Sequence, residues 1–187
     1  MRRRAPDECS GHPGEDDISS VIPLPRAADD LKIPFVAAGG MADGRSLVAA
    51  LSLGAAGINM GMRCIATREA PVHGNVKQTL VAAIEMDARL VMRPLRNTER
   101  VLRNTAVDRI LEKESRLGTD IRFDDSDEEG AGVYPRIMKE GALDAGAWSC
   151  GRVVGLIRDI PTVKELADRI VSEAKEIIRG RLARIAV

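Results

Sequence analysis

Ile33-Pro34-Phe35-Val36-Ala37-Ala38-Gly39-Gly40 is a short apolar run closed by two glycines, with the length of a strand buried on both faces. Pro34 fits only near its start, because an interior proline would remove a ladder hydrogen bond. Asp43 can cap a helix whose inward side would carry Leu47, Ala50 and Leu51, and Gly54 offers a left-handed stop. Gly57-Ile58-Asn59-Met60-Gly61-Met62 then repeats the pattern of an apolar strand closed by glycine. Strand, helix and strand within about thirty residues make a βαβ unit, with parallel strands and a right-handed crossover. The predicted fold class is therefore α/β.

Both strands end in glycine where a helix is about to begin. Backbone N–H groups at such a point can approach a phosphate with no Cβ in the way. Gly39 and Gly40 offer these amides after the first strand, and Gly61 and Met62 after the second. One glycine pair is as readily a tight turn. Two adjacent strand ends are the arrangement of the phosphate site after strands seven and eight of a (β/α)8 barrel.

Residues 1–17 hold only Met1, Ala5 and Cys9 as apolar side chains and read as a loop. Beyond Arg63 the periodicity is helical, and helices are predicted across Gly74–Met86 and Thr98–Leu117. Val101, Leu102, Thr105, Ile110 and Leu111 form the stripe of the second. Asp120 to Glu129 carries six carboxylates and reads as solvated surface; without a turn glycine at calcium-loop spacing it is no metal site. The small residues between Leu143 and Ile160, around Trp148, Ser149, Cys150 and Gly151, suggest backbone packed closely against a neighbour. Thr162 and Glu165 form the capping box of a last helix carrying Leu166, Ile170, Val171, Ala174, Ile177 and Ile178. The chain thus divides into a partial barrel over 1–70, a mainly helical inserted segment over 71–142, and a return to the barrel with a C-terminal helix over 143–187.

Composition narrows the function classes. The 187 residues are 44% apolar, enough for one packed core. Lys plus Arg equal Asp plus Glu at 28 each, so no net field draws the chain to nucleic acid or anionic lipid. With 2% aromatic residues there is no platform on which bases would stack. No run of about 18 apolar residues occurs, and Met1-Arg2-Arg3-Arg4 leads into Ala5-Pro6-Asp7-Glu8 rather than a signal sequence, so a cytoplasmic protein with no membrane partner is expected. Cys9, Cys64 and Cys150 are widely spaced without a CxxC pair and read as free thiols.

The segment Ile33 to Arg45 followed by Leu53 to Arg63 resembles the flavin-phosphate signature of nitronate monooxygenases, formerly called 2-nitropropane dioxygenases. Related signatures occur in flavin-dependent enoyl-ACP reductases and in IMP dehydrogenase-like barrels. Ser10-Gly11-His12-Pro13-Gly14-Glu15-Asp16-Asp17, Ala66-Thr67-Arg68-Glu69-Ala70-Pro71 and Ala145-Gly146-Ala147-Trp148-Ser149-Cys150-Gly151 extend the match to the first of these families. The resemblance implies the C-terminal part of a TIM (β/α)8 barrel of FMN-dependent type, with an additional helical segment. It places Gly39, Gly40, Asn59, Met60, Gly61 and Met62 at the FMN phosphate and Gly11 close to the ring or ribityl chain. His12 falls on the family's catalytic histidine, which takes the proton α to the nitro group of a nitroalkane or stands beside the flavin when a nitronate is oxidised. Imidazole suits that task because it titrates near neutrality. From the residues alone, His12 between Gly11 and Pro13 also reads as a turn residue. His73, at a predicted helix start, reads as structural.

Three positions depart from the family pattern. Ser10 stands for a glycine, Met62 for a threonine whose hydroxyl would reach the phosphate, and Asn59 for a longer glutamine. The implied reaction converts an alkyl nitronate and O2 to a carbonyl compound and nitrite. The alternatives are a flavin-dependent enoyl-ACP reductase, which would consume a nicotinamide cofactor and a 2-enoyl thioester, and a non-catalytic FMN-binding remnant or partner-binding fragment. A complete barrel takes about 250 residues, so the chain is expected to hold only part of one. The open edges of such a part imply self-association or pairing with a missing N-terminal half.

Overall fold

In the computed structural model, residues 7–122 and 134–185 are described. A short helix, α1 (Pro23–Asp30), precedes the βαβ unit. β1 (Val36–Ala38) and β2 (Gly57–Asn59) run parallel, Val36 opposite Gly57 and Ala38 opposite Asn59. Between them lies α2 (Gly44–Ser52), whose cap is Asp43: its carboxylate accepts from the Ser46 N–H (3.0 Å), while the Ser46 hydroxyl oxygen accepts from the Asp43 N–H (3.0 Å). Gly54 takes a φ of +94°, as its predicted stop requires.

Alternation along the strands sorts the side chains onto two faces. Ala37 is buried with Met41, Ala50 and Ala55 on the helix side, and Phe35, Ile58 and Met60 pack against them. On the other face Val36 is 58% exposed, and Ala38 and Asn59 are exposed as well. This is the face that a closed barrel turns inward. Here it is bare, as the expectation of a partial barrel requires.

The inward stripe of α2 is Gly44, Val48 and Ala50, whereas Leu51 is 42% exposed. The shift follows from α7 (Val163–Glu176), which crosses α2 at Gly44. A Cβ on Gly44 would lie 2.7 Å from the Ala174 nitrogen and 2.8 Å from the Ile170 carbonyl oxygen, so only glycine admits this approach. The Gly44 N–H also donates to Glu173 Oε2 (2.8 Å). The capping box of Thr162 and Glu165 is present, and α7 buries Leu166, Ile170 and Ala174.

After α3 (Met62–Ile65) comes α4 (Gly74–Ala82), where the His73 side chain accepts from the Asn75 N–H (3.1 Å) as a cap. The helix predicted to reach Met86 stops at Ala82, and the one predicted from Thr98 begins at Thr105. Between them lies an antiparallel hairpin of β3 (Ala88–Val91) and β4 (Glu99–Leu102), so the segment that reads as mainly helical also carries strands. Val101, Leu102 and Thr105 share a helical spacing by coincidence. Asn104 separates the two elements: its side chain accepts from the Val107 N–H (2.8 Å) and starts α5 (Thr105–Leu117). Val91 and Val101 pack against Val107 and Ile110 of α5. The largest core lies around Leu80, Trp148, Val154 and Ile157, with Ile137 and Met138 from α6 (Tyr134–Glu140). From residue 123 the acidic stretch Asp120 to Glu129 lies outside the described residues.

The hairpin also holds the N-terminal segment. Gly11 exchanges two backbone hydrogen bonds with Arg100 of β4 (3.3 and 2.7 Å). Arg100 is fully buried and donates to the Asp7 carbonyl (3.0 Å) and carboxylate (2.7 Å). Glu15 accepts from the Thr98 N–H (2.9 Å) and hydroxyl (2.5 Å), and Asp17 pairs with Arg93. Those Thr98 hydrogen bonds hold the Glu15 carboxyl below its usual 4.5. A depressed carboxyl contributes stability above its unfolded pKa, and the contribution is lost as pH falls through the folded one. Below about pH 4, residues 11–18 are therefore expected to loosen from the hairpin. Amide exchange at Thr98, corrected for its intrinsic pH dependence, is the check: protection that persists unchanged in more acidic buffer contradicts it.

Candidate functional site

The two strand ends open on one cleft of about 260 Å³. Gly39 and Gly40 form its wall on the β1 side, with φ of +90° and +71°, the left-handed region that glycine enters without strain. Asn59, Gly61 and Met62 form the wall on the β2 side. The first N–H groups of α3, at Gly61 and Met62, have no acceptor within their own helix. Around Gly61 nothing lies within 4 Å of where a Cβ would stand, so its backbone is open to the cleft.

The remaining wall comes from residues not expected at the site: Ala38 and Met41 beside the glycine pair, Glu8, Cys9 and Ser10 from the N-terminal segment, and Gly151 and Val153 from the C-terminal part. Gly151 explains the small-residue stretch, because a Cβ there would sit 2.9 Å from the Glu8 carbonyl and 3.0 Å from the Ser10 nitrogen. The neighbour against which that backbone packs is the segment Glu8–Ser10. Burial raises the Cys9 thiol above its usual value, partly offset by the Arg100 charge, so it is neutral at pH 7. Burial pushes the Cys150 thiol up to about 12.

Of the residues predicted from the resemblance, Gly39, Gly40, Asn59, Gly61 and Met62 share the cleft, whereas Gly11, His12 and Met60 are not on its wall. Met60 packs on the helix side of β2. His12 is exposed and lies one residue beyond the Gly11–Arg100 bridge, between Gly11 and the buried Pro13. Thus β4, unseen in the sequence, supplies the strand that positions the histidine segment.

Electrostatically the cleft is a backbone site. Among the described residues no Lys or Arg lines it. Arg63, next in sequence, is buried and turned away, its guanidinium donating to the Asp159 carboxylate (2.6 Å) and carbonyl (3.0 Å). Among the described residues the one carboxylate on the wall is that of Glu8, which accepts from the Ser20 hydroxyl (3.1 Å) and N–H (3.3 Å) and lies with its Cβ 3.3 Å from the Cβ position of Gly40. Strand-end amides with room beside them fit the phosphate of FMN, and a neighbouring carboxylate opposes its charge. Among the described residues no group of three His, Cys, Asp or Glu gathers to hold a metal, and no helix is long and apolar enough to cross a membrane.

A Rhodococcus jostii protein, (3aS,4S,5R,7aS)-5-hydroxy-7a-methyl-1-oxo-octahydro-1H-indene-4-carboxyl-CoA dehydrogenase, is 31% identical over 201 residues, covering 89% of this chain and 56% of its own length. A probable nitronate monooxygenase of Bacillus subtilis is 40% identical over 77 residues, 41% of this chain and 22% of its own. Among solved structures, FabK from Thermotoga maritima superposes with a TM-score of 0.85 at 30% identity, over 96% of this chain and 56% of that one. Nitroalkane oxidase from Streptomyces ansochromogenes shares the fold, with a TM-score of 0.70 at 24% identity over 92% of this chain and 50% of that one. The fold is accordingly the C-terminal part of a (β/α)8 barrel of the flavin-enzyme type, and the chain spans a little over half the length of the dehydrogenase and of FabK. The profile of the nitronate monooxygenase family matches residues 7–173, and the chain belongs to that family.

Proposed function

We propose that this chain is the FMN-binding part of an oxidoreductase that converts alkyl nitronates and O2 to carbonyl compounds and nitrite. The observation that carries the reading is the convergence of two glycine-ended parallel strands on one cleft. In it the N–H groups at Gly40, Gly61 and Met62 hold the phosphate, and Asn59 orients it from the end of β2. Bound FMN supplies the electron transfer that none of these side chains can perform. The bare face of β1 and β2, with Val36 and Ala38, is where the other half of a barrel, or a second copy, would close over the ring. His12, accessible and anchored through Gly11, is the base for neutral nitroalkanes.

A second reading, redox chemistry on a thioester, is favoured by one observation. Among individual relatives, the likeness to the Rhodococcus CoA dehydrogenase extends over 89% of the chain and that to the Bacillus nitronate monooxygenase over 41%, although the nitronate monooxygenase family as a whole matches residues 7–173.

Titration of the purified chain with FMN, followed by quenching of flavin fluorescence, tests the shared core of both readings. Stoichiometric quenching is expected; a folded chain that leaves the fluorescence unchanged refutes the phosphate site. Nitrite release from a nitronate then supports the first reading, and NAD(P)H oxidation driven by an enoyl thioester the second. Glu8→Gln keeps the acceptor for Ser20 and removes the charge, so it is expected to tighten FMN binding about three- to tenfold at neutral pH. An unchanged dissociation constant would mean that the Glu8 charge does not reach the phosphate.

A further inference from the structure

A second hollow of about 400 Å³ lies along β3, and it shares no lining residue with the glycine cleft. Four arginines wall it: Arg89 from β3, Arg100 and Arg103 from β4 and its end, and Arg152 from the C-terminal part. Two have carboxylate partners, Arg100 with Asp7 (2.7 Å) and Arg103 with Asp108 (2.9 Å). Asp87, beside the hollow, accepts from the Ile84 N–H (2.9 Å). Arg89 and Arg152 have no ion pair or side-chain hydrogen bond among the described residues. Burial lowers the Arg100 pKa; Asp7 opposes that shift and the nearby Arg152 charge adds to it. Like charges gathered in one hollow repel unless an anion enters.

The position is as telling as the charge. Gly151 and Val153 face the glycine cleft, while Arg152 between them faces the arginine hollow. A ligand here therefore lies on the other side of residues 151–153 from the cleft. Its volume falls within the range of small-molecule sites and exceeds what one inorganic phosphate fills. Guanidinium groups bind phosphate through paired N–H donors, and their planes stack on flat rings, with Leu90 and Leu111 adding apolar wall.

We propose that this arginine hollow binds the phosphorylated nucleotide portion of a coenzyme, engaging its phosphates through Arg89 and Arg152. Two sources share that chemistry, a coenzyme A thioester and a phosphorylated nicotinamide dinucleotide. The assignment does not depend on which oxidation the flavin site performs.

The test is calorimetric titration of the full chain, at low and at physiological salt, with coenzyme A, 3′-dephospho-coenzyme A, NADPH, NADH and inorganic phosphate. Either coenzyme A or NADPH is expected to bind more tightly than its counterpart lacking the ribose phosphate, by about tenfold, and to weaken with salt. The member that binds identifies the source. Arg89→Gln with Arg152→Gln is expected to weaken that binding about tenfold or more while leaving FMN titration unchanged. Circular dichroism checks the fold of the double variant, and Arg152→Gln alone, at an exposed position, replaces it if the pair does not fold. The proposal is overturned if neither coenzyme A nor NADPH binds, if the variant binds them as the parent does, or if inorganic phosphate binds as tightly as either. A chain that binds coenzyme A but not FMN sinks the flavin reading and leaves this one standing.

Discussion

Arg100→Met is expected to destabilise the chain by about 3 to 5 kcal/mol, the range for breaking a buried ion pair by removing one partner. Arg100 is fully buried, yet its guanidinium reaches both the carbonyl and the carboxylate of Asp7. Methionine fills much of the same space and keeps the apolar stem, but it donates nothing. The Asp7 carboxylate, with 22% of its side chain exposed, would be left without its cation. The backbone bridge from Arg100 to Gly11 is open to any residue, so the loss should fall on the segment Asp7–Ser10, which is part of the cleft wall. Urea unfolding of both chains measures the difference, and FMN titration of the variant reports the wall. A change below about 1 kcal/mol would mean that water or another donor serves Asp7 as well.

His12→Ala is expected to lower turnover of a neutral nitroalkane by about a hundred- to ten-thousandfold, the usual contribution of a positioned general base. Oxidation of the preformed nitronate needs no proton abstraction and should fall far less. That split between two substrates distinguishes a base from a turn residue, whose loss would lower both alike. The side chain is exposed, so the substitution should leave stability and FMN affinity near those of the parent. The assay applies to whatever assembly of this chain turns over, and equal losses on both substrates would remove His12 from the chemistry.

The βαβ unit was legible because its signals are local and redundant. Asp43 caps, Gly54 stops, and two apolar runs end in glycine, and each of these lies within a few residues of the element it governs. The hairpin was not legible. Ala88–Val91 and Glu99–Leu102 are four residues each and carry arginines inside them, so neither shows clean alternation. Its turn did leave a mark in Pro94 and Asn97, but the left-handed residues there are Met92 and Arg96, not glycines. Of the twelve described residues that line the candidate site, Gly39, Gly40, Gly61 and Met62 were legible for the same local reason, and Asn59 through the family resemblance. Glu8, Cys9, Gly151 and Val153 were not, because what brings them to the cleft is a buried arginine more than ninety positions from its partner. Polar contacts of that range leave no periodicity in a sequence.

The way the first residues are held also sets how the molecule should come apart. Residues 7–18 are fastened by ion pairs and hydrogen bonds to Arg100, Thr98 and Arg93, with little apolar surface beneath them. Their release exposes little new surface and should scarcely depend on urea, whereas guanidinium chloride both screens charges and solvates carboxylates. The two denaturants should then report different first events: a single cooperative loss in urea, and in guanidinium chloride an early detachment that opens the cleft while the helices and strands persist.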